Sequence, residues 1–452
     1  MVSSPEHRKL SEYARSLAPK ARQILYKCPV VFFGAVLYLM YVMTVGEKMF
    51  STAGAFPGAE AHITSAVLFV IASCISQILF FALSSYASGV ISSPISESFA
   101  HVQVMHESLA AQVPPNKVFT NLFVCLAVSA LITSAGFFLM YVFRAERVIR
   151  RIPSGMSMAL FVSIGFLCVS YANERVLAAE MPKIQRIVAV SGFNIIGMAV
   201  TVFFYACKKH APIVTRYSVL WVGIAFTAVF YISAYLCGET LSSLLGKGWL
   251  LSDPRKPVKL SVPNLVFSYI DIKTVLNQLP AILKIAAMNL LQFPINFPPA
   301  KAQTGRTACA RNELFANGVC NAATSIFGCS TQVLPSSTIA VYESGSRSTI
   351  DTLLFAVALV FSLGLGYQCL LYIPFAVFDM LFLCLGMNIV LQSGIDAYNE
   401  GWGVLAIVAG VSLVSVVSNS VLCGAAVGAT FYGVKYMLHR IAKPSPLISS
   451  DV

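Results

Sequence analysis

The sequence predicts an all-α membrane protein that crosses a bilayer many times. Of its 452 residues, 57% are hydrophobic and only 11% are charged, whereas an average soluble domain has about 25% charged residues. Apolar stretches of spanning length recur from residue 28 to residue 439, and each crossing needs roughly 20 helical residues. This composition excludes a soluble enzyme, a nucleic-acid-binding protein and a β-barrel.

Hydropathy and Gly/Pro breaks divide the chain into about 14 predicted segments, in two halves of equal number. The segments lie at about 28–46, 63–84, 93–110, 117–143, 152–172, 191–207, 217–237, 278–298, 312–328, 335–344, 350–371, 373–393, 402–418 and 420–439. The first repeat therefore covers about 28–237 and the second about 278–439, with a connection at about 238–277. Residues 1–27 are expected to form a basic cytosolic tail, and residues 440–452 a short second tail.

The basic residues favour an even number of crossings. Most of the 31 Lys and Arg lie in the N-terminal tail or in loops that this count places inside, such as those of Arg147 and Lys301. Lys and Arg collect on the cytosolic side of short membrane loops. We therefore predict that both termini are cytosolic and that the N-terminal tail contacts anionic lipid headgroups.

The cysteines and histidines indicate neither a metal nor a cofactor. The 12 Cys lie mostly within apolar stretches and include no CxxC pair, and the 6 His show no metal-ligand spacing. No nucleophile–base pair or phosphate-binding loop is recognisable. The sequence thus predicts a protein that is not an enzyme, has no cofactor and binds no nucleic acid.

Four segments are irregular. Segment 1 runs into a Gly/Pro break, and segment 8 is interrupted by Pro294, Pro298 and Pro299. Segments 3 and 10 each open with Ser or Thr around a proline, Pro94 or Pro335, which fits the first position of a helix. Paired broken segments in corresponding positions indicate an inverted-repeat transporter. Two half-helix N-termini would then face each other near the midplane, where their free amides favour an anionic ligand.

Several motifs resemble the SulP family, the sulfate permease or solute carrier 26-type anion transporters. The stretch RNELFANGVCNAATSIFGCSTQVLPSSTIAVYESGSRST, from Arg311, is similar to the family's segments 9 and 10. LLYIPFAVFDMLFLCLGMNIV resembles its segment 12, and FRAERVIRRIPSGMSMALFVSIGF resembles the start of its segment 5. INFPPAKAQTG and SQILFFALSSYASGVISSPISESF are closest to a fungal vacuolar-membrane branch.

The resemblance implies a seven-plus-seven inverted repeat, usually in a homodimer. A core of segments 1–4 and 8–11 would move as an elevator against a gate of segments 5–7 and 12–14. Most members carry a C-terminal STAS domain, and we expect none here. Many anion-carrying members also have a basic residue near the start of segment 10, where this chain has Gln332, Ser336 and Ser337.

Polar side chains inside the irregular segments are the candidates for contact with a solute. Such groups are unfavourable in lipid, so they should face the bundle interior. The predicted substrate-binding residues are Tyr38, Tyr41, Thr44, Ser93, Ser96, Gln292, Asn296, Ser336, Ser337 and Thr338. Helix capping or an ordinary packing hydrogen bond is the alternative role for each of them.

Glu97 is an ionisable residue within a predicted membrane segment, and His101 follows on the same helix face. We predict that the two couple transport to a proton or sense the charge of the solute. A carboxylate that stabilises its own helix start is the alternative for Glu97. Glu313 is expected to be structural and to pair with a nearby base such as Arg311.

Together these observations predict a secondary transporter that moves a small, sulfate-like inorganic anion by elevator-type alternating access. Its membrane would be the plasma membrane or that of a vacuole-like organelle. Two alternatives stay open. One is a proton-coupled transporter of basic amino acids in a vacuole-like membrane, which Glu97 favours. The other is an uncoupled anion channel built on the same site.

Overall fold

A computed structural model shows an all-α polytopic membrane protein with one small β-sheet. The structure describes residues 27–39, 41–42, 46, 59–95, 98–149, 151–178, 182–250, 265–305, 307–362, 371–418 and 420–442. Within these ranges each of the predicted segments contains a helix, and the helices are numbered here in the same order.

The first half contains α1 (Lys27–Leu39), α2 (Ala59–Leu83), α3 (Phe99–Ala110), α4 (Pro115–Val142), α5 (Ser154–Ala178), α6 (Lys183–Cys207) and α7 (Ser218–Leu236). The second half contains α8 (Leu279–Gln303), α9 (Ala310–Thr324), α10 (Pro335–Glu343), α11 (Ile350–Phe361), α12 (Phe375–Glu400), α13 (Trp402–Val417) and α14 (Val421–Ala442). Two strands, β1 (Ser92–Pro94) and β2 (Thr331–Val333), precede α3 and α10. Short helical turns lie at Glu146–Ile149, Pro212–Arg216, Leu241–Gly246, Phe267–Tyr269, Ile272–Asn277 and Ser325–Phe327.

Length and apolar composition identify the membrane-spanning helices. Among the described residues, 6 helices are long and apolar enough to cross a bilayer, namely α2, α4, α5, α6, α7 and α12. Helices α1, α11 and α13 are apolar but shorter, as is the apolar stretch Val421–Val434 of α14. Helices α3 and α10, with 12 and 9 residues, are too short to cross alone, as the sequence predicted for segments 3 and 10.

The helices pack as two groups. In the core group (α1–α4 and α8–α11), α9 packs on α2 and α4, α11 packs on α2, and Gly34 of α1 lies against the ring of Phe355 in α11. In the gate group (α5–α7 and α12–α14), α12 crosses α5 over its length, and α13 packs on α5 and α14. The two groups contain the same segments as the core and gate that the family resemblance implies.

The strands β1 and β2 form an antiparallel pair inside the core group. Ser92 is opposite Val333, Ser93 is opposite Gln332, and Pro94 is opposite Thr331. Extended backbone at membrane depth must have its polar groups satisfied by protein, since lipid offers no hydrogen bonds. The pairing satisfies both strands at once and brings together the two halves of the chain just before their short helices.

Hydroxyl groups of the second half also hold the chain that leads into β1. Three successive backbone amides, those of Gly89, Val90 and Ile91, donate hydrogen bonds to them. The acceptors, at 2.9, 3.0 and 3.1 Å, are the side chains of Ser346, Thr352 and Thr338. The approach to β1 is therefore fixed by α10, α11 and the loop between them.

The prediction that Pro94 begins a helix is wrong. Pro94 is the last residue of β1, and α3 begins only at Phe99. Pairing with β2 extends the backbone here, and a proline is tolerated at a strand end because it needs no donor there. Pro335, in contrast, occupies the first turn of α10 as predicted.

The predicted interruption of segment 8 is also wrong. Helix α8 runs for 25 residues through Pro294, Pro298 and Pro299. Prolines are tolerated in membrane helices when neighbouring elements satisfy the freed backbone groups. Helix α8 packs on α3, α4 and α10, which surround it. The predicted break after segment 1 lies outside the described residues.

Candidate functional site

A cavity of about 580 Å³ lies between the core and gate groups. Helices α1, α8 and α10 form its core side, and α5, α6, α7 and α12 form its gate side. Its exposed lining residues include Lys208, Gln303, Glu343 and Asp396, which lie at its mouth. All four lie at helix ends that the charge pattern of the sequence assigns to the cytosolic side. The volume is in the range of small-molecule sites.

The N-terminus of α10 opens into this cavity through Ser336 and Ser337. The first amides of a helix have no partner within the helix, and no side chain of the described residues caps them here. The residue before the helix is Leu334, which has no capping group. Free amides, two hydroxyls and the positive end of the helix dipole thus point to an anionic ligand at this position.

The deep part of the cavity is otherwise mostly apolar, with Phe33, Leu37, Val222 and Leu381 among its buried lining residues. The buried Thr201 also lines it, and its hydroxyl donates to the carbonyl of Gly197 in its own helix at 2.8 Å. Three of the described lining residues carry a charge, and all three are at the mouth. There the Lys208 Nζ lies 3.3 Å from a carboxylate oxygen of Glu343, which joins α6 of the gate group to α10 of the core group. Because both side chains are about half exposed, the pair contributes at most about 1 kcal/mol.

Solved structures of two transporters share this architecture. The transmembrane domain of a cyanobacterium bicarbonate transporter, BicA, has a TM-score of 0.56 and 15% identity, and the match covers 89% of this chain and 97% of that one. SLC26A9 has a TM-score of 0.58 and 14% identity, with 95% and 70% covered. The murine Slc26a9 anion transporter in its inward-facing state has a TM-score of 0.58 and 15% identity, with 91% and 68% covered.

The chain has the solute carrier 26 fold. Identities this low demonstrate the fold alone. No family model and no curated protein matches the sequence.

Within the solute carrier 26 fold, only some of the predicted substrate-binding residues line the cavity. Ser336 and Ser337 do so. The others that the structure describes are buried in the core group and do not line it, namely Tyr38, Tyr41, Ser93, Gln292, Asn296 and Thr338. His101 lies on α3, half-buried and also outside the lining. Thr44, Ser96 and Glu97 lie outside the described residues.

The contacts of the non-lining residues are structural. The Thr338 hydroxyl accepts a hydrogen bond from the amide of Ile91 at 3.1 Å, and the Ser93 hydroxyl donates to the carbonyl of Pro94 at 3.0 Å. The hydroxyl of Tyr38 faces Ser93 without reaching good hydrogen-bond geometry. These groups therefore support the strand pair and the start of α10 rather than the cavity wall.

The remaining predicted residues lie at helix contacts. The ring of Tyr41 packs against Phe69 of α2 and Phe382 of α12, with centroid distances of 5.8 and 6.3 Å. It is thus a contact between the core and gate groups. In α8, the Asn296 amide nitrogen donates to the Gln292 side-chain oxygen at 3.3 Å, and both residues are buried and lie outside the lining of the large cavity.

Sequence reasoning missed the gate side of the site. Asn388, Gln392 and Asp396 follow one another at helical spacing on α12, and all three line the cavity. These three residues form a polar stripe on α12, which is otherwise apolar, and such a stripe indicates a helix face that is turned away from lipid. The predicted end of segment 12 near residue 393 left Asp396 outside the helix.

Glu313 is buried, but its predicted pairing with Arg311 is wrong. Its carboxylate accepts hydrogen bonds from Ser84 and Ser85, in the connection between α2 and β1. The guanidinium of Arg311 lies instead over the ring of Tyr141, 4.9 Å from its centroid. Among the residues that the structure describes, no group of three His, Cys, Asp or Glu side chains is placed to hold a metal.

Proposed function

We propose that the protein is a secondary transporter that moves a small anion by alternating access, with the start of α10 as its binding site. The observation that carries this proposal is the opening of Ser336, Ser337 and the first amides of α10 into a cavity between two helix groups. The bicarbonate transporter and the anion transporter that share the fold support the same class, and they support a role that is not enzymatic.

A monovalent anion fits the lining better than a divalent one such as sulfate. Most of the buried residues that line this cavity are apolar. Lys208, the basic residue of the described lining, is at the mouth and already paired with Glu343. Removing a charge from water is costly unless protein groups replace the lost hydration. Hydroxyls, amides and a helix dipole can do so for one charge more readily than for two. Bicarbonate or chloride is therefore proposed ahead of sulfate.

For the mechanism, we propose that the core group carries α10 past a stationary gate group. In the proposed topology both termini are cytosolic, so the mouth faces the cytosol and the structure is open inward. The exposed apolar faces of α6 and α7, which include Ile184, Ile195, Trp221 and Ile232, would contact lipid or a second copy of the chain in a homodimer. The membrane in question would be the plasma membrane or a vacuole-like membrane.

Counterflow uptake into proteoliposomes tests this function. Wild-type protein should exchange labelled chloride or bicarbonate at a saturable rate, and labelled sulfate more slowly. The double variant Ser336→Ala/Ser337→Ala should lose about 10-fold or more in uptake, because two hydrogen bonds to a charged ligand are removed.

Ser418→Ala is the matched control, since this hydroxyl lies at the exposed end of α13, away from the cavity. Uptake that is equal in the double variant and in the control would contradict a solute site at the start of α10. Large unitary currents without saturable exchange would favour an anion channel instead.

A basic amino acid is the second candidate solute, because two acids and one base line the mouth of the cavity. Glu343 is paired with Lys208, which leaves Asp396 exposed to an entering cation. Labelled arginine tested with and without a pH gradient separates this candidate from the first. Arginine uptake that needs the gradient and fails in Asp396→Asn or Glu97→Gln would replace the anion proposal.

A further inference from the structure

The loop between α4 and α5 connects the core group to the gate group, and the structure describes it at 143–149 and 151–153. Its exposed residues in these ranges are Phe143, Arg144, Arg147, Val148 and Arg151. No ion pair joins any of the three arginines to another described residue. The exposed side of the loop is therefore basic and apolar, and a cluster of charges of one sign attracts ions of the other.

The backbone of Arg144 has an unusual conformation. Its φ is 54°, and it is the non-glycine residue with a positive φ in the part of the chain that the structure describes. The amides of Arg144 and Ala145 donate to the carbonyls of Tyr141 and Met140, at 3.3 and 2.8 Å. This pattern ends a helix with a left-handed residue, which is usually glycine because a Cβ is unfavourable there.

An arginine at a position that favours glycine indicates a role for its side chain. The preference of Lys and Arg for the cytosolic side of a membrane explains the sign of the charge, but it does not explain a strained backbone at Arg144. Backbone strain is found mainly at sites where a side chain has a function.

The three arginines recur at intervals of about one helical turn. The amide of Arg147 donates to the carbonyl of Arg144 at 3.1 Å, and the amide of Arg151 donates to the carbonyl of Val148 at 2.9 Å. Residues three or four apart in such turns lie on the same side. Glu146 and Ile149, between them, are buried, so the acid of the loop is not on the arginine side.

A fourth guanidinium lies at the same end of α4. The side chain of Arg311, in the first turn of α9, lies over the ring of Tyr141 with 4.9 Å to its centroid. Its Nε atom is buried and has no hydrogen-bond partner among the described groups. The cluster therefore includes donors that no protein group in the described ranges uses.

Apolar side chains surround these charges. Helix α4 has 28 residues, which corresponds to about 42 Å, so it is longer than the bilayer core of about 30 Å. Its end exposes Leu139, Val142 and Phe143, and Phe143 is 77% exposed. Val148 in the loop is 66% exposed. Apolar side chains beside guanidinium groups are typical of the boundary between acyl chains and headgroups.

We propose that the α4–α5 loop binds an anionic phospholipid. Its phosphate would lie among Arg144, Arg147 and Arg151, because guanidinium groups bind phosphate through paired, charge-assisted hydrogen bonds. Its acyl chains would contact Phe143 and Val148. A free phosphate would contact the arginines alone and leave the exposed apolar side chains in water. The charge pattern assigns this loop to the cytosolic leaflet, which is the leaflet that carries anionic lipid.

The bound lipid would hold the connection between the core and gate groups at the membrane surface. None of the three arginines lines the large cavity. The proposal therefore does not depend on the identity of the solute or on transport.

The test is lipid binding by the full purified chain in dodecyl maltoside, counted by native mass spectrometry. Dioctanoyl phosphatidic acid is titrated beside dioctanoyl phosphatidylcholine and glycerol 3-phosphate. Wild-type protein should bind one phosphatidic acid saturably, with a dissociation constant about 10-fold or more below those of the other two compounds. The double variant Arg147→Gln/Arg151→Gln should raise this constant about 10-fold or more, because charge-assisted hydrogen bonds to phosphate are lost.

Arg144→Gly separates lipid binding from folding. This variant should also bind phosphatidic acid more weakly, while its thermal unfolding midpoint stays the same or rises, because glycine favours the left-handed conformation. A purely structural arginine would instead give a lower midpoint. The matched control is Lys209→Gln/Lys273→Gln, which removes two exposed positive charges from other loops and should bind phosphatidic acid as the wild type does.

Three results would overturn the proposal. Equal affinity for phosphatidic acid and phosphatidylcholine would mean that the charge is not recognised, and equal affinity for glycerol 3-phosphate would assign the arginines to a soluble anion. Undiminished phosphatidic acid binding in both arginine variants would place the lipid elsewhere on the protein.

Discussion

The core and gate groups are both helical and apolar, yet they are held together by different means. The core group buries a network of polar side chains around a strand pair, including Asn317, Asn321, Thr331 and Gln332. The gate group packs mainly through apolar faces and close helix crossings, with isolated polar contacts such as the Asn173–Asn194 hydrogen bond at 3.0 Å. A backbone that leaves the helix at membrane depth needs fixed polar partners, whereas a scaffold of regular helices needs only good packing.

Glycines explain the closest crossing in the gate group. Gly165 of α5 and Gly386 of α12 face each other, and a Cβ on Gly386 would lie 2.6 Å from the carbonyl oxygen of Gly165. Small residues let two helix backbones approach in this way. The gate group also contains the most exposed spanning helices, since 11% of the residues in the spanning windows of α6 and α7 are buried, against 61% in α12.

The largest effect is expected when the polar network of the core group is broken. The Asn321 side chain donates to the carbonyl of Thr331 at 2.9 Å and accepts from its amide at 3.0 Å. Asn321→Leu leaves both buried groups unpaired, at about 1–3 kcal/mol each, so the free energy of unfolding should fall by about 3 kcal/mol or more. Asn388→Leu, at the cavity wall, should leave it nearly unchanged. Equal unfolding midpoints for the two variants would show that the network does not hold the core group.

The second effect concerns packing in the gate group. Gly386→Ala should lower the free energy of unfolding by about 1–3 kcal/mol, because the added methyl group overlaps the backbone of α5. Gly394→Ala is the control on the same helix, where a Cβ meets no atom of the described residues within 4 Å. It should be neutral or slightly stabilising, since alanine favours a helix. Thermal unfolding in detergent compares them, and a destabilised control would contradict the account of the crossing.

A third prediction separates function from stability on α12. Gln392→Leu removes a polar group from the gate side of the cavity, so the KM for uptake should rise about 10-fold at an unchanged unfolding midpoint, which corresponds to one lost hydrogen bond to a charged solute. Asn399→Leu, near the exposed end of the same helix, lies outside the lining and should leave KM unchanged. A rise in KM for both variants would assign the effect to the helix rather than to the cavity.

The smallest effect is expected at the mouth. Lys208→Gln breaks the exposed pair with Glu343 between the two groups, and the free energy of unfolding should change by less than about 1 kcal/mol. Unfolding at low and at high salt checks this, because salt should remove the difference. A larger, salt-independent loss would mean that the pair is a main contact between the groups.

The sequence was sufficient to predict the helices and the start of α10, because long apolar runs and a Ser/Pro helix start are local signals. Sequence patterns were misleading wherever tertiary packing determines the local backbone structure. The three prolines of α8 resemble a break, but neighbouring helices keep the helix continuous. Residues 92–94 resemble a helix start, but they pair with a strand of the other half.

The polar residues show the same limit of prediction from sequence, because their positions also depend on tertiary packing. Composition identified Gln292, Asn296 and Thr338 as residues of the bundle interior, but not which side of α8 or α10 they occupy.

The central claim is that the solute site lies between two helix groups that move against each other. Cross-linking across the mouth tests this directly, with Lys208→Cys/Glu343→Cys in a background without the 12 native cysteines. The matched control is Ser154→Cys/Glu400→Cys, since these two side chains are hydrogen-bonded at 2.7 Å within the gate group. Uptake should be lost in the first pair on cross-linking with a cleavable reagent, return on reduction, and persist in the second pair. Full uptake by completely cross-linked Lys208→Cys/Glu343→Cys protein would contradict the account.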